Sequence, residues 1–73
     1  MPTGVVIFHT SSAAIRSEKI LLKGGLSVKL IPTPREFSSD CGIALRFEWH
    51  QEVNVRQLLE TAGVELAAIR RFR

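Results

Sequence analysis

The chain has 73 residues, 45% of them hydrophobic and 23% charged, with a net charge of +3, which indicates one small folded domain over residues 1–73 and excludes a disordered tail. No apolar run approaches the roughly 20 residues of a membrane-spanning helix, and the first residues lack the pattern of a secretory signal. A single cysteine cannot form an internal disulfide, and no spacing is typical of a metal site. The sequence therefore predicts a cytoplasmic protein without membrane, metal or non-covalent cofactor.

The first half of the chain predicts a strand, a helix and a second strand. Residues 4–9 form a short, largely β-branched apolar run, which is typical of a buried strand. Helix-forming residue types dominate from 12 to 23, and Gly24 and Gly25 are expected to end that helix. Apolar and polar residues then alternate over 26–32, which predicts a half-buried strand.

The second half repeats this order. Alternation over residues 43–49 predicts a third strand. A second helix is expected over 54–62, with Asn54 as the first residue of a capping box. A last strand is expected over 64–72, although its alternation is less regular.

The order β-α-β-β-α-β predicts an α+β fold, a ferredoxin-like βαββαβ sandwich. In that architecture a four-stranded antiparallel sheet has the order 4-1-3-2, and both helices lie on one face. The start of strand 3 then lies beside the end of strand 1 and the first turn of helix 1. His50, at the far end of strand 3, is expected at the opposite end of the sheet.

The connection between strands 2 and 3, residues 32–42, is longer than a hairpin needs. Its two prolines stiffen it, and Gly42 allows a close approach to a ligand or a positive φ. Cys41, the chain's single cysteine, ends the loop where the chain re-enters the sheet. The loop is therefore expected to present a thiol at a fixed place, with Ser38, Ser39 and Gly42 as candidate binding residues.

The predicted strand order brings Cys41 beside the start of helix 1, where Thr10 and Ser11 are further candidate binding residues. Unpaired N–H groups and a partial positive charge at a helix start stabilise a thiolate. His9 is expected to act as a base or cationic neighbour, and Arg35 to add a positive charge. We expect a partly accessible and reactive thiol. A small buried hydrophobic residue is the alternative, and spacing alone leaves both open.

Glu18 lies near the middle of the side of helix 1 that carries Ala14 and Leu21. A carboxylate there costs free energy unless it is paired or reaches an edge. Either Glu18 forms an ion pair with Arg35 or Arg46 and anchors the loop, or the helix is slightly rotated and Glu18 lies at the sheet margin. We favour the rotated helix.

Three segments resemble the selenium/sulfur carrier protein-like family of short prokaryotic proteins: Arg16-Ser17-Glu18-Lys19, Leu30-Ile31-Pro32-Thr33-Pro34-Arg35-Glu36 and Ser38-Ser39-Asp40-Cys41-Gly42-Ile43-Ala44-Leu45-Arg46-Phe47. The likeness extends from about Phe8 to Val64. It implies that Cys41 carries sulfur or selenium as a persulfide or perselenide. It also implies donor and acceptor proteins as partners, so the protein is expected to be a carrier that acts with enzymes and not an enzyme itself.

The alternative function is a non-catalytic, regulatory module that binds a small anion or RNA on the same fold. The chain is basic, but strand 3 lacks the basic-glycine-aromatic signature of the RNA-recognition fold, so nucleic acid is disfavoured. An enzyme acting alone is the least favoured class because 73 residues leave little room for a pocket. A helix-free sheet face with aliphatic residues leaves a homo-oligomer open.

Overall fold

The structure is a computed structural model, and it describes residues 2–37 and 41–72. Its elements in chain order are β1 (Thr3–Ile7), α1 (Ser11–Lys23), β2 (Val28–Pro32), β3 (Ile43–Glu48), a 3₁₀ turn (Trp49–Gln51), α2 (Glu52–Thr61) and β4 (Ala68–Phe72). None of the helices in these two ranges has the length and apolarity needed to cross a lipid bilayer. The α+β class expected from the sequence is confirmed.

The four strands form one antiparallel sheet in the order β2-β3-β1-β4. Counted from the β4 edge, this is the order 4-1-3-2. In the β1–β3 ladder Ile7 lies opposite Ala44 and Thr3 lies opposite Glu48, so the start of β3 is beside the end of β1. His50 follows the other end of β3. The assignment to the ferredoxin-like class stays a prediction.

Both helices pack on one face of the sheet, as predicted. One core cluster draws its buried residues from β1 and the residue after it, α1, β3 and α2: Val6, Phe8, Ala14, Leu21, Leu45, Phe47, Val55 and Leu59. Each valine, leucine or phenylalanine side chain of this cluster contributes roughly 1.5–3 kcal/mol when it leaves water. This cluster is therefore the main source of stability in so small a domain.

Local signals set both ends of α1, which begins one residue earlier than predicted. The Thr10 hydroxyl accepts a hydrogen bond from the Ala13 N–H at 3.2 Å, so Thr10 is the N-cap and the helix begins at Ser11. Gly24 caps the other end, and Gly25 has a φ of +86°, a conformation that favours glycine. The predicted glycine stop is confirmed.

The boundaries around α2 differ from the prediction. The third strand ends at Glu48, a 3₁₀ turn follows, and α2 begins at Glu52, so Asn54 is not its N-cap. Glu52 favours the earlier start because its carboxylate lies in the first turn and pairs with Arg56 at 2.8 Å. Trp49 begins the 3₁₀ turn, and its ring stacks on that of Phe47, with centroids 6.1 Å apart.

The last strand is also shorter than predicted, because β4 begins at Ala68 and not at Val64. The Val64 N–H donates to the Leu59 carbonyl at 3.0 Å, which closes the end of α2. The Ala67 N–H donates to the Ile7 carbonyl at 2.7 Å and leads the chain into the sheet. Residues 64–67 therefore serve as a connection.

The other face of the sheet carries no helix in the described part of the chain, and Phe37 of the β2–β3 loop covers part of it. Val5, Ile7 and Ala44 are buried there. Phe37, from the loop, packs on this second cluster and meets Phe72 of β4 edge to face, with ring centroids 5.6 Å apart. Phe37 therefore has a structural use, since it packs on the apolar residues of the helix-free face.

Candidate functional site

The backbone of Cys41 is anchored at the base of the β2–β3 loop. The Thr33 hydroxyl donates to the Cys41 carbonyl at 2.9 Å, and the Thr33 N–H donates to the Gly42 carbonyl at 3.1 Å. Both bonds extend the pairing of β2 with β3 beyond its last register pair, Pro32 with Ile43. Thr33 therefore anchors the backbone on both sides of the Cys41–Gly42 peptide bond, while the presentation of the thiol by the whole loop stays a prediction.

The expectation that the Cys41 thiol is partly accessible is wrong, because the residue is only 4% exposed. The Cys41 thiol donates to the Ile43 carbonyl at 3.2 Å, so the side chain turns toward the start of β3 and away from solvent. The closed base of the loop is the physical reason for this burial. The alternative of a small buried hydrophobic residue fits this position, while the reactivity of the thiol stays a prediction.

The β1–β3 register brings His9 and Cys41 to the same end of the sheet, since each lies two residues beyond the paired strands. His9, Thr10 and Ser11 are all exposed. The hydroxyl of Thr10 already accepts the Ala13 N–H of the helix start. Thr10 is therefore a helix cap, and the helix start has fewer unpaired donors for an anionic sulfur than expected.

Of the other candidate residues in the loop, the structure describes Arg35 and Gly42. Arg35 is exposed, and Ser38 and Ser39 lie outside the described residues. Gly42 does not have the positive φ that we considered for it, and a Cβ built there has no neighbour within 4 Å. Its carbonyl instead accepts the hydrogen bond from the Thr33 N–H, which ties Gly42 to the end of β2.

The structure resolves the two alternatives for Glu18 in favour of the rotated helix. Ser17 is 0% exposed and shares the buried side of α1 with Ala14 and Leu21, which leaves Glu18 half-buried at the margin. Within residues 2–37 and 41–72, Glu18 forms no ion pair with Arg35 or Arg46. The anchoring role is wrong because a small rotation moves the carboxylate off the sheet.

Ser17 itself was missed by the sequence analysis. Its hydroxyl oxygen is buried and has no hydrogen-bond partner among the described residues. The spacing of Ala14, Ser17 and Leu21, at i, i+3 and i+7, is the helical signal that places it in the core.

Three basic side chains form a row across the helix-free face, which the sequence analysis also missed. Lys29 of β2 lies opposite Arg46 of β3, and Val5 of β1 lies opposite both Arg46 and Arg70 of β4. Lys29, Arg46 and Arg70 are all exposed, and we call them the basic row. The strand order combined with the alternation in each strand would have revealed them.

A concavity of about 490 Å³ lies at the end of the sheet away from Cys41. Its lining includes Leu22 and Leu26 near the end of α1 and Phe47 of β3, and it reaches Lys29 and Arg46 of the basic row. No group of three or more His, Cys, Asp or Glu side chains in the described part of the chain is placed to hold a metal ion.

Comparison with known proteins places the chain in a family. The sequence model of the family described as "Putative Se/S carrier protein-like" matches residues 3–71, so the chain belongs to this family, as its motifs suggested. It is similar to an uncharacterized protein of Methanocaldococcus jannaschii, with 29% identity over 62 residues. That match covers 85% of this chain but 31% of the relative, so the chain spans less than a third of the relative's length. No solved structure matches the chain.

Proposed function

We propose that the protein carries sulfur or selenium on Cys41, as a persulfide or perselenide, and delivers it to an acceptor protein. The observation that carries this proposal is the family match, which runs through residue 41 and whose description names Se/S carriers. Cys41 is the chain's single cysteine, so a covalently held sulfur or selenium atom has one thiol to bind. The donor and acceptor are separate proteins, and the carrier is not itself an enzyme.

Loading is an exchange that needs no added oxidant. The Cys41 thiolate attacks the terminal sulfur of a donor persulfide, the donor's S–S bond breaks, and the donor leaves as a thiolate that takes up the terminal sulfur's proton. Cys41 then holds the terminal sulfur as a persulfide. Delivery is the same exchange with an acceptor thiolate as the attacking group, and a perselenide is exchanged in the same way.

The geometry around Cys41 supports storage and delivery as separate states. The hydrogen bond from the thiol to the Ile43 carbonyl uses the thiol proton, so it is lost once the thiol is deprotonated or loaded. Burial of Cys41 slows exchange with small thiols in both directions, so loading from a small persulfide and removal of the bound sulfur by glutathione are both slower than at an exposed thiol. Exchange with a partner therefore requires local opening of the loop, while the two bonds from Thr33 hold the backbone.

Two exposed side chains, His9 and Arg35, support the ionisation of Cys41 and the binding of its persulfide in this proposal. His9 lies at the same end of the sheet as Cys41 and serves as the proton acceptor when the thiol ionises. Arg35 lies in the β2–β3 loop and attracts the anionic persulfide.

Two broader assignments belong to the same proposal. The βαββαβ order, the antiparallel sheet and the two helices on one face support the ferredoxin-like class. A reducing cytoplasm is the compartment in which a single thiol suits a carrier.

The test is intact-mass spectrometry after incubation with glutathione persulfide. We expect a gain of one sulfur atom in the wild type and none in Cys41→Ser. A matched control combines Cys41→Ser with Ser27→Cys, which moves the thiol to an exposed position before β2. We expect the persulfide at Cys41 to survive glutathione longer than the one at position 27. No mass gain in the wild type, or equal lifetimes at both positions, contradicts the proposal.

The roles of the supporting side chains are tested by loading rate. Arg35→Ala is expected to slow loading without abolishing it, and His9→Gln to shift its pH dependence. Lys19→Ala, which removes an exposed charge from α1, is the matched control and should leave the rate unchanged. Repeating the incubation with glutathione perselenide compares selenium with sulfur.

A further inference from the structure

The basic row places three positive charges close together on the helix-free face. Neighbouring strands lie about 4.8 Å apart, so the backbones of Lys29 and Arg46 are about 5 Å apart and Arg70 lies two strands beyond Arg46. Val5, between the two arginines, is fully buried, so the long side chains of Arg46 and Arg70 flank an apolar residue and project from it. The row therefore presents its charges to solvent on one surface.

This arrangement is unfavourable for the isolated domain. Like charges directly opposite each other on paired strands are destabilising. Among residues 2–37 and 41–72, no carboxylate lies within ion-pair distance of any member of the basic row. Glu48, two residues beyond Arg46 on the same strand, lies 3.6 Å from His50 instead. An anionic partner would therefore relieve a repulsion that this part of the fold leaves uncompensated.

The neighbouring surface identifies the class of that partner. Four apolar residues are half-buried beside the basic row: Ile31, Phe37, Ala68 and Phe72. Arginine and phenylalanine beside aliphatic residues are typical of protein interfaces. The rings of Phe37 and Phe72 pack edge to face against each other, so they do not form the open aromatic platform on which RNA bases stack.

We propose that the helix-free face docks an acidic surface of a protein partner, with the basic row binding carboxylates and the residues beside it making apolar contacts. The identification of this partner as a donor or acceptor of sulfur or selenium rests on the function proposed above. A second copy of this chain fits less well, because it would present the same positive row.

The probe is an acetylated and amidated octapeptide that alternates glutamate with valine and carries four negative charges. It is compared with a five-residue oligouridylate without terminal phosphates, whose four phosphodiesters carry the same charge. Binding is measured at low salt by amide chemical shifts. The test variant combines Lys29→Gln, Arg46→Gln and Arg70→Gln. The control combines Lys19→Gln, Lys23→Gln and Arg71→Gln, which removes the same charge from exposed positions outside the row.

We expect peptide-induced shifts at β2, β3 and β4 around the basic row, and a loss of affinity of about tenfold in the test variant. The control should lose much less. Equal losses in both variants, tighter binding of the oligouridylate at the row, or self-association in place of peptide binding would each overturn the proposal. Arg46→Gln alone is the second variant if the triple substitution impairs folding.

Failure of the docking proposal is distinguishable from failure of the carrier function. Cys41→Ser should bind the peptide as the wild type does, because the thiol is not part of the surface. The test variant should still load from glutathione persulfide, because a small donor needs no docking surface. Loss of loading in that variant would show that the row acts on Cys41 and not on a protein partner.

Discussion

The two faces of the sheet are stabilised in different ways. On the helix-covered face, Leu45 and Phe47 of β3 are buried by side chains from both helices in one continuous cluster. On the other face, Ala44 is buried in a smaller cluster with Val5 and Ile7 on which the loop residue Phe37 packs, and Arg46 is exposed. Neighbouring residues of β3 therefore lie alternately in the closed core and on the open surface.

This difference shows how a domain of 73 residues can combine stability with a binding surface. Each helix buries one apolar side against the same sheet face, so that face contributes most of the buried area. The opposite face needs only a short covering segment and can retain charges that would be too costly in a core. We expect substitutions on the two faces to change the free energy of unfolding by different amounts and, for some, in opposite directions.

The largest effect is expected from Leu45→Ala. Leu45 is fully buried under the helices, so its truncation leaves a cavity and should lower the free energy of unfolding by about 3–5 kcal/mol. Ile31→Ala, on the half-buried helix-free face, should cost about 1–2 kcal/mol. Urea unfolding of both variants measures the difference, and equal costs would show that the two faces contribute alike.

The next largest effect is expected from Gly4→Ala. A Cβ at position 4 would overlap the ring of Phe47, with Cε1 and Cε2 only 2.6 Å away, so the variant should lose about 1–3 kcal/mol. Gly42→Ala is the control, because a Cβ there has no neighbour within 4 Å. Adding Phe47→Leu to Gly4→Ala should recover part of the loss if the ring is the cause. Thermal unfolding of the three variants tests this coupling.

Ser17→Ala should stabilise the helix-covered face. It removes a buried hydroxyl that has no hydrogen-bond partner among the described residues, and alanine favours the helix, so we expect a gain of about 1 kcal/mol. Ser12→Ala, at an exposed position of α1, tests helix propensity alone and should gain less. A loss of stability in Ser17→Ala would mean that the hydroxyl has a structural role.

The smallest effect is expected from Lys29→Glu on the helix-free face. The substitution converts a cross-strand repulsion with Arg46 into an attraction, which should raise stability by about 0.5 kcal/mol. Lys29→Gln should give part of that gain, since it removes the repulsion alone. Because both positions are exposed, 1 M salt should abolish the difference between the variants. A gain that persists in high salt would point to packing instead of charge.

The sequence by itself determined the features that depend on neighbouring residues. Gly25 ends α1 because few other residues adopt its φ of +86°, and the alternation from Leu26 to Leu30 matches the exposure of each side chain. The order of these local signals was sufficient to predict the class, the antiparallel sheet and the shared end of β1 and β3. The motif around Cys41 was sufficient to predict the family.

Tertiary structure decided the features that depend on contacts between distant residues. A small rotation of α1 buries Ser17 and leaves Glu18 at the margin, because the fit of the helix to the sheet sets its orientation. Phe37 crosses the helix-free face to reach Phe72, which follows it by 35 positions in the chain. The burial of Cys41 likewise follows from the hydrogen bonds that close the loop. Local patterns report which side of an element is apolar, but only packing decides what covers that side.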